Sequence, residues 1–200
     1  GLRTFVDHHS ARASPVAELV KRYPIRSDNV IAHIRKATQG RVALENTHPF
    51  ARELWGRYWV CAHNGDLKSF APRLHGAFRP VGDTDSELAF CWLMQELAKA
   101  HAGVPTVAEL SATLRELLPQ LHRHGSFNLL LSNGQALWAH ASTHLHWLVR
   151  QHPNRGMRRR FSGLTPELRA KPARAPPRAG PHPSKSVLKP PLPAAMTHAH

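Results

Sequence analysis

Thr84-Asp85-Ser86-Glu87-Leu88-Ala89-Phe90-Cys91-Trp92-Leu93-Met94 opens the segment that decides the fold. Thr84 and Glu87 stand three residues apart, the spacing of a helix-capping box. Leu88, Trp92 and the Leu93/Leu97 pair then recur at helical period. The reading is a helix from about 85 to 102, closed by Gly103. A second helix follows at once, over about 107–122. Thr106 and Glu109 repeat the cap, Leu110, Leu114, Leu117, Leu118 and Leu121 form its stripe, and Pro119 sits in its last turn.

Strands flank this helix pair. Upstream, Val30 to Arg35 alternates, with Val30, Ala32 and Ile34 on one face and Ile31, His33 and Arg35 on the other. Tyr58 to Ala62 reads as a second strand, ended by His63-Asn64-Gly65-Asp66, because Asn-Gly is a strong turn signal. Downstream, Phe127–Leu131 and Ala136–His140 bracket Asn133-Gly134 as a hairpin, and Leu145–Val149 reads as another strand. Strands, two adjacent helices, then strands do not make βαβ alternation. The order predicts an α+β fold, an antiparallel sheet with helices layered on it.

The chain has 200 residues and a formal net charge of +14, distributed unevenly. Up to Val149 the net charge is +4; the last 51 residues carry +10, ten of the 17 prolines and none of the five tryptophans. Proline removes a backbone donor and fixes φ, and so few large apolar groups cannot offset chain entropy. The expectation is a folded part over 1–153 and a disordered Pro/Arg-rich tail over 154–200. A natural basic arm attracted to polyanions and a reading-frame artefact both fit that tail.

The longest apolar run, Leu88 to Met94, has seven residues, against the ~18 that a membrane helix needs, so no membrane partner is expected. Two cysteines, Cys61 and Cys91, are too few for a disulfide scaffold and fit a reducing, cytoplasmic compartment. The start, Gly1-Leu2-Arg3-Thr4-Phe5, has no apolar h-region and no initiator Met, as expected of a chain that begins inside a longer gene product. Sixteen histidines invite a metal reading. The pair His144/His146 shares a strand face, but no Cys, Asp or Glu stands near it at ligand spacing. Exposed or packed histidines are the expectation, with no metal site and no cofactor, and with His33 and His63 as polar support.

Three polar clusters lie at element ends: His33 to Gly40, His63 to Asp66, and Gly82 to Glu87. Singly, Arg35 could be a surface cation, Asn64-Gly65 a turn and Thr84/Asp85 a helix cap. In order, they form a longer pattern. Arg35-Lys36-Ala37-Thr38-Gln39-Gly40, Thr47-His48-Pro49, His63-Asn64-Gly65 and Thr84-Asp85-Ser86-Glu87 together resemble the class II glutamine amidotransferases. These are N-terminal-nucleophile amidohydrolases, and the resemblance is to the stand-alone, YafJ-like type without a fused synthase. It runs over about residues 1–153.

The resemblance implies an αββα four-layer sandwich, here incomplete at its N-terminus. It also implies hydrolysis of the side-chain amide of glutamine or a related γ-glutamyl compound. The small-molecule substrate would place its α-carboxylate on Arg35, whose guanidinium gives two parallel charge-assisted bonds, assisted by Thr38 and Gln39. Its ammonium would meet Asp85, and its oxyanion the Asn64 side-chain amide and the Gly65 N–H. The family's nucleophile is a cysteine at the mature N-terminus, whose own amino group is the base. Position 1 here is Gly, and Cys61 and Cys91 read as buried, inert residues. The expectation is therefore a member lacking its first segment and inactive as it stands.

Two other readings remain open: a non-catalytic polyanion-binding protein driven by the basic tail, and a truncated or mis-framed product. The tail lacks interleaved stacking aromatics beyond Phe161, which weighs against nucleic acid. Nothing in the sequence speaks to oligomeric state or to the acceptor of the second step.

Overall fold

The computed structural model describes residues 1–23, 25–34, 41–151, 155–160 and 169–172, with backbone alone from 147 onward. In chain order the elements are helix α1 (Pro15–Arg22), a 3-10 turn (Leu44–Asn46) and strands β1 (Phe50–Leu54) and β2 (Arg57–Leu67). Helices α2 (Asp85–Ala100) and α3 (Val107–His122) follow. Strands β3 (Gly125–Ser132), β4 (Ala136–His140), β5 (His146–Gln151), β6 (Arg155–Arg160) and β7 (Arg169–Pro172) complete the set. Five strands form one antiparallel sheet in the order β1-β2-β3-β4-β7, and β5 pairs with β6 separately. This is the α+β arrangement expected. Of a four-layer sandwich, the described residues supply one helix layer packed on one sheet layer.

The two helices start where their caps require. Thr106 and Glu109 form the reciprocal box, each side chain taking the other residue's backbone N–H. Thr84 caps the Glu87 N–H at 3.2 Å, but the Glu87 side chain does not return the bond. It is drawn instead to Arg52 and the Gly82 N–H. α1 begins at Ser14, whose hydroxyl accepts the Ala17 N–H. This helix was not anticipated; Val16, Leu19 and Val20 fall at helical spacing in it, but it buries no residue.

The core lies between α2/α3 and one sheet face. Trp59, Cys61, Leu129, Leu131 and Trp138 project from the sheet, and Phe90, Leu93, Met94, Leu97, Leu110, Leu114, Leu118 and Leu121 from the helices. Trp59 and Trp138 stack at 5.7 Å with an 8° interplanar angle. The Trp138 indole N–H donates to Ser111 Oγ at 2.9 Å, which satisfies a buried donor. No helix among the described residues is long and apolar enough to cross a membrane.

Three departures from expectation have local causes. Residues 30–34 form no strand: they pair with no sheet edge among the described residues, and a strand needs a ladder partner. Their alternation persists inverted, with Val30 and Ile34 turned to solvent and Ile31 and His33 half-buried. Second, β2 does not stop at His63. It stays extended to Leu67 because β3 offers a partner for every residue, Asn64 facing Asn128 and Gly65 facing Phe127. Third, β6 and β7 lie within 154–200, where no regular structure was expected; each finds a strand edge to pair with, β5 and β4. The rest of that stretch lies outside the described residues.

Candidate functional site

β2 and the start of α2 meet at one end of the sheet. The Asp85 carboxylate accepts the Leu67 N–H and the Ser86 N–H, both at 2.8 Å. The first of these ties the helix N-terminus to the strand two residues beyond Gly65. A carboxylate there is also favoured by the helix dipole; with the Ser86 hydroxyl as a third donor at 3.3 Å, part of its acceptor capacity is still free.

His63 makes the second link. It is buried beneath the same end of the sheet, its Nδ1 2.8 Å from Ser86 Oγ and its Nε2 3.3 Å from the Ser126 carbonyl oxygen. Burial lowers its pKa below the ordinary imidazole range, while the neighbouring Asp85 carboxylate opposes that shift. Ser86 Oγ also lies 3.3 Å from Asp85 Oδ1, so its single proton serves either the carboxylate or the ring, and each ring nitrogen has an oxygen partner. The Phe127 ring lies 4.5 Å from the imidazole.

Gly65 is required for close approach rather than for a turn. A Cβ at this position would overlap the Ser126 carbonyl oxygen and the His63 ring. Asn64 points away from the helices on the exposed side, and its side chain has no hydrogen-bond partner among the described residues. Its carbonyl oxygen accepts from Asn128 Nδ2 at 3.1 Å.

The loop before α2 is held from behind. Asn46, buried after the 3-10 turn, donates to Asp83 Oδ1 (2.7 Å) and to the Arg41 carbonyl, and accepts the Asp83 N–H. Gly82 lies so close to Asn46 and Glu45 that a Cβ would collide with them. A cavity of about 170 Å³ opens there between Arg41, Glu45, Asn46, Val81, Gly82 and Asp83. His48 lies in the adjoining layer, its ring 4.3 Å from His33 and 4.5 Å from Phe50, after which the His48–Pro49 bond is cis.

Of the residues singled out in the sequence, Gly65 and Asp85 are linked at one sheet end through the Leu67 N–H, and Asn64 precedes Gly65 there with its side chain on the exposed face away from the helices. Arg35, Thr38 and Gln39 lie outside the described residues. The sequence reading missed Asn46, Arg52, Ser126 and Asn128. Each acts through a partner 35 or more residues away, and no local spacing announces such a pairing.

Neither cysteine is a candidate nucleophile in this geometry. Burial drives the Cys61 thiol well above its ordinary range, and the nearby Cys91 adds to the effect. Burial also raises Cys91, against the opposing pull of Arg52. Away from the α2 turn, Asp7, His8 and His9 bring three metal-ligand-type atoms within 4.8 Å of one another. The Asp7 carboxylate there already accepts from Ser14 Oγ and from the His9 N–H.

The family model for class II glutamine amidotransferases matches residues 1–162. The chain is 50% identical over 154 residues to an Escherichia coli K12 protein named as a glutamine amidotransferase, YafJ, covering 76% of this chain and 60% of that protein. It is 47% identical over 153 residues to one so named from Haemophilus influenzae, covering 76% and 52%. The chain thus spans a little over half the length of these relatives. The crystal structure of a predicted glutamine amidotransferase from Pseudomonas aeruginosa PA01 superposes with a TM-score of 0.55 at 35% identity, covering 73% of this chain and 62% of that one. With the four motifs in order, the shared fold and a family match over most of its length, this chain belongs to the class II glutamine amidotransferases.

Proposed function

We propose that the chain carries the amide-binding half of a glutaminase-type site, acting on the side-chain amide of glutamine or a related γ-glutamyl compound. The observation that carries this reading is the junction of β2 with α2. The Asp85 carboxylate bonds the Leu67 N–H, so an anion for the substrate ammonium is held on β2 two residues beyond Gly65. Attack on an amide carbon puts negative charge on its oxygen, and donors already in place stabilise that charge without reorganisation. Asn64 Nδ2 and the Gly65 N–H are such donors. Arg35, with Thr38 and Gln39, takes the α-carboxylate. The nucleophile displaces ammonia and forms a γ-glutamyl thioester, water hydrolyses that thioester to glutamate, and the ammonia is released or passed to an acceptor.

The nucleophile in this reading is a family N-terminal cysteine, because Cys61 and Cys91 are buried neutral thiols. The 200-residue chain by itself is therefore inactive. The match to residue 162 and the strands at 155–160 and 169–172 favour a domain limit later than 153.

The test is glutamate release from glutamine by two proteins. One is the chain as it stands. The other is the chain joined behind an N-terminal family segment that begins with its cysteine, hereafter the extended chain. Release by the extended chain alone supports the proposal. A folded extended chain without release overturns the activity, and release by the 200-residue chain within about tenfold of it overturns the assignment of the nucleophile.

A further inference from the structure

Asn128 lies on β3 directly opposite Asn64, and its side-chain amide is used at both ends. Nδ2 donates to the Asn64 carbonyl oxygen (3.1 Å) and to Thr143 Oγ1 (2.7 Å). Oδ1 accepts the backbone N–H groups of Ser142 and Thr143, both at 3.2 Å. The orientation of the amide is set by these partners: two N–H groups need an acceptor, and a carbonyl needs a donor.

The Asn64 carbonyl and the Gly65 N–H belong to one planar, trans peptide unit and point in opposite directions. The β2–β3 register already faces the Asn64 carbonyl toward β3 and so turns the Gly65 N–H away from it; the Asn128 Nδ2 bond adds a second hold on that carbonyl. On the N–H side of β2 the neighbour is β1, whose pairing ends at Phe50 and Cys61. The Gly65 N–H thus faces the edge beyond the last β1 pair, with no strand partner there among the described residues. A hydrogen bond to the carbonyl also polarises the unit and strengthens its N–H as a donor.

We propose that Asn128 is a positioning residue: it locks and polarises the Asn64–Gly65 peptide so that the Gly65 N–H is preset as an oxyanion donor. The use of that donor rests on the glutaminase reading above; the aim of the peptide does not. The Ser142–Thr143 segment serves as the fixed support against which Asn128 is braced.

Two variants separate the donor from the brace. Asn128→Asp keeps an oxygen for the Ser142 and Thr143 N–H groups and withdraws the donor to Asn64. Asn128→Ala removes both. The first readout is the 15N–1H amide spectrum of the 200-residue chain. In Asn128→Asp the Gly65 amide should shift well beyond any change at Gly56, in the β1–β2 turn, with Ser142 and Thr143 close to the parent. The second readout is kinetic, in the extended chain: kcat should fall about tenfold with KM within about twofold, because an oxyanion donor acts on the transition state.

An unmoved Gly65 amide in folded Asn128→Asp overturns the proposal, as does a loss carried by KM alone. Folding is checked by the near-ultraviolet signal of the Trp59–Trp138 stack, and where Asn128→Ala does not fold, Asn128→Asp decides. If the extended parent releases no glutamate, the glutaminase reading fails on that result, and the Gly65 amide still decides whether Asn128 aims the peptide.

Discussion

Arg52 on β1 and Glu87 in the first turn of α2 form an ion pair at 2.5 Å, with the Glu87 side chain only 2% exposed and that of Arg52 19%. Arg52 also donates to the carbonyls of Ala51 and Arg79, and the second Glu87 oxygen accepts the Gly82 N–H. One charge pair therefore fastens strand, loop and helix start together, and the turn it fastens presents Asp85. Arg also suits this place because its fork reaches several acceptors at once.

Breaking that pair from one side should be costly. Arg52→Met leaves a carboxylate buried without its cation, a change that costs about 3–5 kcal/mol in comparable sites. Urea unfolding at pH 7 should show a loss of that order. A loss below about 1 kcal/mol at pH 7 would contradict the role of the pair.

Acid should weaken the fold through its buried imidazoles. Burial lowers the pKa of His140 to about 4, with a smaller push from His122, and its Nε2 has no hydrogen-bond partner among the described residues. Burial lowers His63 as well. Between the ordinary imidazole value near 6.5 and these lowered values, the unfolded chain binds more protons than the folded one. Stability is therefore full above about 6.5 and falls as pH drops toward 4, by up to about 3 kcal/mol for His140. Unfolding free energies measured from pH 7 to 4.5 should fall less steeply in His140→Phe. An unchanged slope would show that His140 titrates normally.

Asn64 and Asp85 should leave different kinetic signatures in the extended chain. Asn64→Ala removes a donor to charge that develops in the transition state, so kcat should drop about 10²–10³-fold with little change in KM. Asp85→Asn weakens the grip on an ammonium that is charged throughout, so KM should rise. Asp85→Asn keeps an acceptor for the Leu67 N–H, which makes it a better probe than Ala. A kcat for Asn64→Ala within about threefold of the parent at saturating glutamine would remove Asn64 from the site.

The cysteines should be silent until the chain unfolds. Cys61 and Cys91 are buried, and burial holds both thiols in the unreactive neutral form. An aromatic disulfide reagent should label neither in the native 200-residue chain at pH 8, and both in denaturant. Fast native labelling of Cys91 would show that the Arg52 guanidinium 3.6 Å from its sulfur outweighs burial.

Local chemistry alone fixed α2, α3 and the hairpin. Caps at Thr84 and Thr106, leucines at helical period, and Asn133-Gly134 with Gly134 at φ +81° each act within a few residues. The ordered motifs also marked Asn64, Gly65 and Asp85. Tertiary structure decided what depends on register. It kept Asn64-Gly65 in a strand rather than a turn, because β3 supplied a partner for each residue. It left Val30–Ile34 without a ladder, paired Arg52 with Glu87, and set Asn128 behind the Gly65 peptide. Those choices join residues 35 to 64 positions apart. Their energy exists only once the sheet has closed, so no short window of sequence can hold it.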